Sequence, residues 1–548
     1  MNTPLPRRRF LTSAAAAGGL AMLGGGRVVR GQSTDAAPAD APTVPARSAN
    51  PAEFGAVGDG VTPATEGIQK AIDHVAERGG GTVRLSEGRW LCGTVYLADG
   101  VTLLLDRGAT LLGSRQIDDY GTPRTIVRPD GTKEEVRARA MIAGIGLKRV
   151  AIRGEGVIDG QGDAFRYRDR PRPMCVRMTD CEDVLIEGVQ MRNSGSWMQH
   201  YRFCQRLTVR GIDVFNHVAF NNDGLDIDSC SDVRVSDCRI HSDDDAIVLK
   251  SLSQRPCENV TITNCKVSSH CNALKLGTES GGGFRNIRIA DCVVRSPEGT
   301  KVTFGRQRGL AAIALELVDG GRLEEIHVSN IDIDGVSVAI FIRLGNRARI
   351  YGNGDRPGVG TLRKVILEDI KATNTSDVGC SITGLPGHYV EDVVLRNIEI
   401  GFDGGGERKL ATREIAERPD AYPESLMFGP LPAYGFFCRH AKNLVFENVA
   451  LSLKEADLRH AMVFDDVENL RMAAFRADSP EGAAPLLRLS GVRQAMIQGV
   501  RVPSTAEAFV EVTSPSTRDI RLSGNQIPDG VRVLARAAEV PEDAVTIE

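Results

Sequence analysis

Aromatic side chains are scarce, 5% of the 548 residues. That disfavours a bundle of long helices held by large interior rings. The 59 glycines instead favour many tight turns around small interior side chains. Neither sign of charge is in strong excess: the formal net charge is -4 and the isoelectric point about 6.2, so nothing here supports nucleic-acid binding. After the N-terminus no apolar run is long enough to span a membrane. Length alone suggests roughly three or four domains, although long β architectures break that expectation.

What is present begins with RRRFLTSAAAAGGLAMLGGG: arginines directly before Phe10 and Leu11, then a short uncharged run ending in glycine. This resembles a twin-arginine export signal, and the run is too short for a spanning helix. Residues 31–46, GQSTDAAPADAPTVPA, read as a processed linker. The expectation is therefore an export signal and linker over 1–46, a periplasmic or extracellular destination, and one catalytic domain over 47–548. No oligomeric partner is implied, and a monomer is expected.

The domain is repetitive. CSDVRVSDCRI at 230, CENVTITNCKV at 257 and FRNIRIADCVV at 284 share one pattern, which extends outward to CEDVLIEGVQM at 181 and KNLVFENVAL at 442. Apolar and polar residues alternate within each unit, as in strands with one buried face. A period near 25 residues with a strong strand, a turn and a second short strand describes a solenoid of parallel-stacked strands. The expected fold is all-β: a single-stranded right-handed parallel β-helix with an N-terminal capping helix. A leucine-rich horseshoe is the runner-up, but it lacks its helical half and its asparagine and leucine positions. The helix is expected at ATEGIQKAIDHVAERG, 64–79, with apolar residues at 68, 71, 72 and 75. An insertion rich in proline, glycine and aromatics is expected at about 402–434, with Tyr422, Phe428 and Tyr434 as sugar-stacking rings or as packing.

Twelve cysteines in an exported chain raise the question of disulfides. The repeat argues otherwise, because Cys238, Cys265 and Cys292 fall at one position of successive units. They are expected to form an interior ladder of small apolar side chains.

The stretch 220–251, FNNDGLDIDSCSDVRVSDCRIHSDDDAIVLKS, holds eight aspartates. Carried through it, the repeat aligns DGLDIDS at 223 with DAIVLKS at 245 and NALKLGT at 272. Asp223, Asp245 and Asn272 then form one column, and Asp226, Val248 and Lys275 another. Carboxylates on adjacent coils lie about 4.8 Å apart, enough to hold one water, with Asp244 beside them. Such a group suits glycoside hydrolysis, which needs a protonated acid and an ionised base. Mutual repulsion should raise the pKa of at least one member. Asp226 and Asp228 are expected to pair with Lys250 and Lys275.

NNDG at 221 and DDAIVLKS at 244 resemble the NTD and DD motifs of glycoside hydrolase family 28, the polygalacturonases and their relatives. FGAVGDG at 54 and GGGTVRLSEGRWLCGTVYL at 79 are similar to that family's opening. The resemblance implies that Asp244 is the general acid and that Asp223 and Asp245 activate water for a single inverting displacement, with no cofactor and no metal. It covers most of the chain after residue 50, and its substrate would be a pectin-like or other acidic polysaccharide or oligosaccharide. Asn222, Lys250, His270, Asn272, Lys275 and Glu279 are the expected substrate contacts. Two motifs depart from the family: CNA at 271–273 stands for GHG, and AAIALEL at 311 stands where RIK supplies cations. Lys250, Lys275 or Arg343 would then read the sugar. The alternatives are a calcium-dependent polysaccharide lyase, with a lysine as base, and a non-catalytic carbohydrate-binding solenoid.

Overall fold

The computed structural model describes residues 47–121, 124–127, 133–136, 138–303, 305–352 and 355–548. The export signal and linker expected over 1–46 lie outside the described residues. From 47 onward the chain winds as a right-handed parallel β-helix, in which 39 strands join one hydrogen-bonded sheet. The antiparallel pair Arg124–Val127 and Lys133–Val136 stands apart from it.

Each central coil supplies strands to three walls. Leu225–Asp228, Ile247–Ser251, Asn272–Ser280 and Ala311–Leu317 stack in the wall called the site sheet below. Ser231–Ser236 and Cys257–Thr263 stack in the middle sheet. Asp213–Asn216, Arg239–Ser242 and Lys266–Ser269 stack in the side sheet. In the middle sheet Val233 pairs with Val260 and Val260 with Ile287, all buried, while Arg234, Thr261 and Arg288 face outward. Strict two-residue alternation thus fills the interior with stacks of branched side chains.

The corner between middle and side sheets explains the repeat's conserved spelling within this chain. Asp237, Asn264, Asp291 and Asn330 all adopt left-handed backbone, with φ of 58, 51, 56 and 52°. Asparagine and aspartate tolerate that region better than other residues with a Cβ. Their side chains also stack, Asn264 donating to Asp237 at 2.6 Å and Asn330 to Asp291 at 2.7 Å. The next residue then turns inward, and Cys238, Cys265 and Cys292 are each buried there. All twelve cysteines are buried free thiols, so the ladder expected from the repeat is present. A second column passes from Cys257 to Phe284 to Leu323.

The helix runs Thr65–Ala76 and buries Ile68, Ala71, Ile72 and Val75 in the same core as Val83 and Leu103 of the first coils. Its other side carries the Glu66–Lys70 pair at 2.6 Å. It covers apolar surface that the first coil would otherwise expose. The insertion occupies 403–432, between strands Val390–Phe402 and Ala433–Leu453. Among the described residues no helix is long and apolar enough to cross a membrane.

Phe284→Ala should lower stability by about 3–5 kcal/mol, read by thermal or chemical unfolding. Unfolding without reductant should expose twelve titratable thiols; a smaller number would contradict the unbridged ladder.

Candidate active site

Register builds the site. Leu225 pairs with Ile247 and Ile247 with Leu274, which puts Asp223, Asp245 and Asn272 at successive levels of one column. Asp226, Val248 and Lys275 form the second column, as the repeat predicts. Gly224 allows the coils to close: a Cβ there would meet Ile240 Cγ2 at 2.3 Å and the Ala246 carbonyl at 2.7 Å. Oxygens of Asp223, Asp244 and Asp245 come within 4.8 Å of one another, all on buried residues.

Electrostatics separates these carboxyls. Burial raises the Asp245 pKa, but Lys275, Lys250 and the Asn272 amide outweigh it and hold this carboxyl below its usual value. Lys275 Nζ lies 3.0 Å from Asp245 Oδ2, and Asn272 Nδ2 donates to Asp245 Oδ1 at 2.8 Å. Asp244 is pushed up to about 6, by burial and then by the adjacent Asp245 charge. Asp223 is raised well above its usual value, by burial, Asp244 and Asp226. The two carboxyls expected to activate water together are thus shifted in opposite directions, Asp245 down and Asp223 up.

The cations are locked in place as acids. Lys250 Nζ lies 3.3 Å from Asp226, 3.6 Å from Asp223 and 3.7 Å from Glu279. Burial alone would lower its pKa, yet those carboxyls push it well above the usual value. Lys275 is treated likewise by Asp245 and Glu316. One ammonium cannot compensate every acid around it. Glu279 is held below its usual value, where burial is outweighed by Lys250 and Arg347, whereas burial drives Asp226 up to about 8.

Several expected contacts belong to the scaffold instead. Asn222 is fully buried; it accepts from the Val218 and Ala219 amides and donates to the Ser194 and Ser196 carbonyls, so it holds the turn. His270 is also fully buried, between the Arg306 carbonyl at 3.0 Å and the Thr300 hydroxyl at 2.9 Å. Arg343 is spent on the carbonyls of Gly384 and Glu417. Asp228 pairs with Arg202 at 3.2 Å and His200 at 3.4 Å, not with a lysine of the site. Phe428 and Tyr434 are buried packing, while Tyr422 is 57% exposed and lies near Lys275.

Other site residues escaped the sequence reading. Trp197 carries Lys250 over its ring at 4.6 Å. Arg172 donates to Asn221 Oδ1 at 3.0 Å, and Asn221 donates to Asp244 Oδ2 at 3.2 Å. Glu316, inside the quoted AAIALEL, meets Lys275 at 3.5 Å and is pushed by burial to about 7.

The model of the glycosyl hydrolases family 28 matches residues 106–417, more than half of the chain. The chain belongs to glycoside hydrolase family 28. A probable polygalacturonase of Vitis vinifera is 32% identical over 219 residues, 38% of this chain and 45% of that protein. An exo-poly-alpha-D-galacturonosidase of Dickeya chrysanthemi is 33% identical over 155 residues, 26% of this chain and 25% of that protein. The alignments thus span less than half the length of these curated relatives. The solved structure of a hyperthermoactive exopolygalacturonase from Thermotoga maritima is similar in fold, with a TM-score of 0.55 and 23% identity over 75% of this chain and 93% of that one.

Lys275 pairs in register with Ala314 of AAIALEL and fills that column with an ammonium. Asn272, in the place of the family's histidine, orients Asp245 through its backbone N–H and its amide.

Asp226 supplies a test of this charge distribution. Its folded pKa, about 8, exceeds the ordinary 3.8, so its contribution to stability is complete below 3.8 and is lost as pH rises through 8. Asp226→Asn removes that loss. Between about pH 5 and about pH 9 the Tm of the variant should therefore gain on that of the unsubstituted protein; a constant difference would contradict the raised pKa.

Proposed function

We propose that this chain hydrolyses glycosidic bonds of a pectin-like, acidic polysaccharide or oligosaccharide by acid/base catalysis. The observation that carries the reading is the split among three adjacent carboxyls, Asp245 held down and Asp244 raised to about 6. Asp244 protonates the leaving oxygen. Asp245 takes the proton of a water held between it and Asp223, giving a single displacement with inversion. Family membership and the names of the relatives, a probable polygalacturonase and an exo-poly-alpha-D-galacturonosidase, support the substrate class. Arg172, Lys250 and Lys275 supply positive charge for a uronate carboxylate, and Trp197 a face for a sugar ring. The arginine-led N-terminus supports action outside the cytoplasm.

The lyase alternative needs a lysine that accepts a proton. Lys250 and Lys275 are both held in their charged form by neighbouring carboxyls, which opposes that role. A purely binding solenoid needs no concentration of acids in neighbouring coils with divided pKa values.

Asp244→Asn should lower turnover of pectic substrates by about 10²–10⁴-fold while leaving the circular dichroism unchanged. Because Asp244 must be protonated, kcat/KM should fall as pH rises past about 6. The oxygens' approach within 4.8 Å is tighter than the about 6.5–9.5 Å carboxyl spacing usual for inversion, so the anomer first formed, read by proton NMR, decides the displacement. An unsaturated product absorbing in the near ultraviolet would overturn hydrolysis.

A further inference from the structure

One column of polar side chains takes no part in the chemistry above. Asn216 pairs with Ser242 and Ser242 with Ser269, so the residues that follow, His217, Asp243 and His270, stand at successive levels where the side sheet turns toward the site sheet. Their roots are spaced by the coil repeat, about 4.8 Å per level, yet the side chains converge. The His217 and His270 ring centres are 5.4 Å apart across the intervening level. Ligating atoms of all three residues lie within 4.8 Å of one another. His217 Nδ1 faces Asp243 Oδ1 at 3.9 Å on a side chain 5% exposed, and it has no hydrogen-bond partner. A buried polar atom left so is costly unless something binds it.

The geometry points to a site for one borderline divalent transition ion of the zinc class, held by His217, Asp243 and His270 beneath the catalytic turn. Two imidazoles and one carboxylate suit zinc, whereas calcium takes oxygen donors throughout. Bonds of about 2.0–2.1 Å in a tetrahedron place donors roughly 3.4 Å apart, so His217 and Asp243 need close by only about half an ångström.

Outer contacts of the kind that orient metal ligands are in place. His270 Nδ1 donates to the Arg306 carbonyl at 3.0 Å, and the Thr303 N–H donates to Asp243 Oδ1 at 2.8 Å. His217 Nε2 lies 3.1 Å from His241 Nδ1. The Thr300 hydroxyl, 2.9 Å from His270 Nε2, is the group that the ion displaces. His241, the neighbour of His217, lines a groove of about 500 Å³ on the side sheet together with Phe215 and Lys266. Since Asp244 and Asp245 follow Asp243 directly, an ion here pins the turn that carries the acid and the base without touching the reacting atoms.

The test uses the full chain, stripped with chelator, dialysed and titrated with zinc sulfate. Metal content, binding calorimetry and thermal unfolding are read, none of which depends on the hydrolytic reading. About one zinc should remain per chain after dialysis, with a rise in Tm of several degrees that chelator reverses. His217→Phe, which keeps a ring against Phe215 and His241, should bind zinc at least about tenfold more weakly. Asp243→Asn should do the same. Equal zinc binding by the unsubstituted protein and His217→Phe, or no rise in Tm when zinc is returned to the stripped protein, would overturn the site.

Discussion

Parallel register between neighbouring coils is the constraint on which everything else in this molecule depends. Once Leu225, Ile247 and Leu274 are paired at one level each, the spacing of Asp223, Asp245 and Asn272 follows from the hydrogen-bond geometry of a parallel sheet. A one-residue slip would turn every side chain of a strand to the opposite face. The register is protected by the interior stacks and by the corner residues, where Asn264 reaches Asp237 and Asn330 reaches Asp291. Ordinary packing thus sets the geometry of the carboxyl cluster from far outside it.

The same closeness makes the site electrically demanding. Asp223, Asp226, Asp244, Asp245, Glu279 and Glu316 surround Lys250 and Lys275 in a region almost without solvent. They cannot all ionise there. The lysines settle the matter by position: Lys275 at 3.0 Å keeps Asp245 charged, and Lys250 is shared among Asp223, Asp226 and Glu279. The pKa values of Asp244, Asp223 and Asp226 are therefore raised while that of Asp245 is lowered, so a site built from like groups holds carboxyls of unlike proton affinity.

How far this was legible in the sequence depends on what decides each residue's place. The solenoid, the thiol ladder and the aspartate columns follow from periodicity, because a residue's number within the repeat fixes its level and wall. The helix was legible from the spacing of Ile68, Ala71, Ile72 and Val75. Turn residues were harder. Asn222 and His270 sit at corners where alternation lapses, so their number does not say whether they face substrate or backbone. Both proved to be internal, bonded to carbonyls and neighbouring hydroxyls. Trp197 and Arg172 reach the site from turns that precede the acidic coils, and only folding shows their approach to Lys250 and Asn221. Glu316 was hidden by its surroundings, since an acid amid AAIALEL is interpretable only once Lys275 is seen one coil below.

The insertion at 403–432 bears on the site through dielectric as much as through shape. Ser425 donates to the Leu310 carbonyl, Pro419 accepts from the Asn346 N–H, and Glu417 is held by Arg439 and His440. These ties lay the segment over the coils that follow the acidic ones, with Tyr422 reaching back to 5.8 Å from Lys275 and 5.9 Å from Arg347. Glu316 and Lys275 are themselves buried. In a wetter cleft the attraction between Lys275 and Asp245 would be screened and burial would raise fewer pKa values. The contrast between Asp245 and Asp244 would shrink accordingly. The contrast among chemically identical side chains thus rests on two features at once, a register that brings them together and a burial that keeps their mutual field strong.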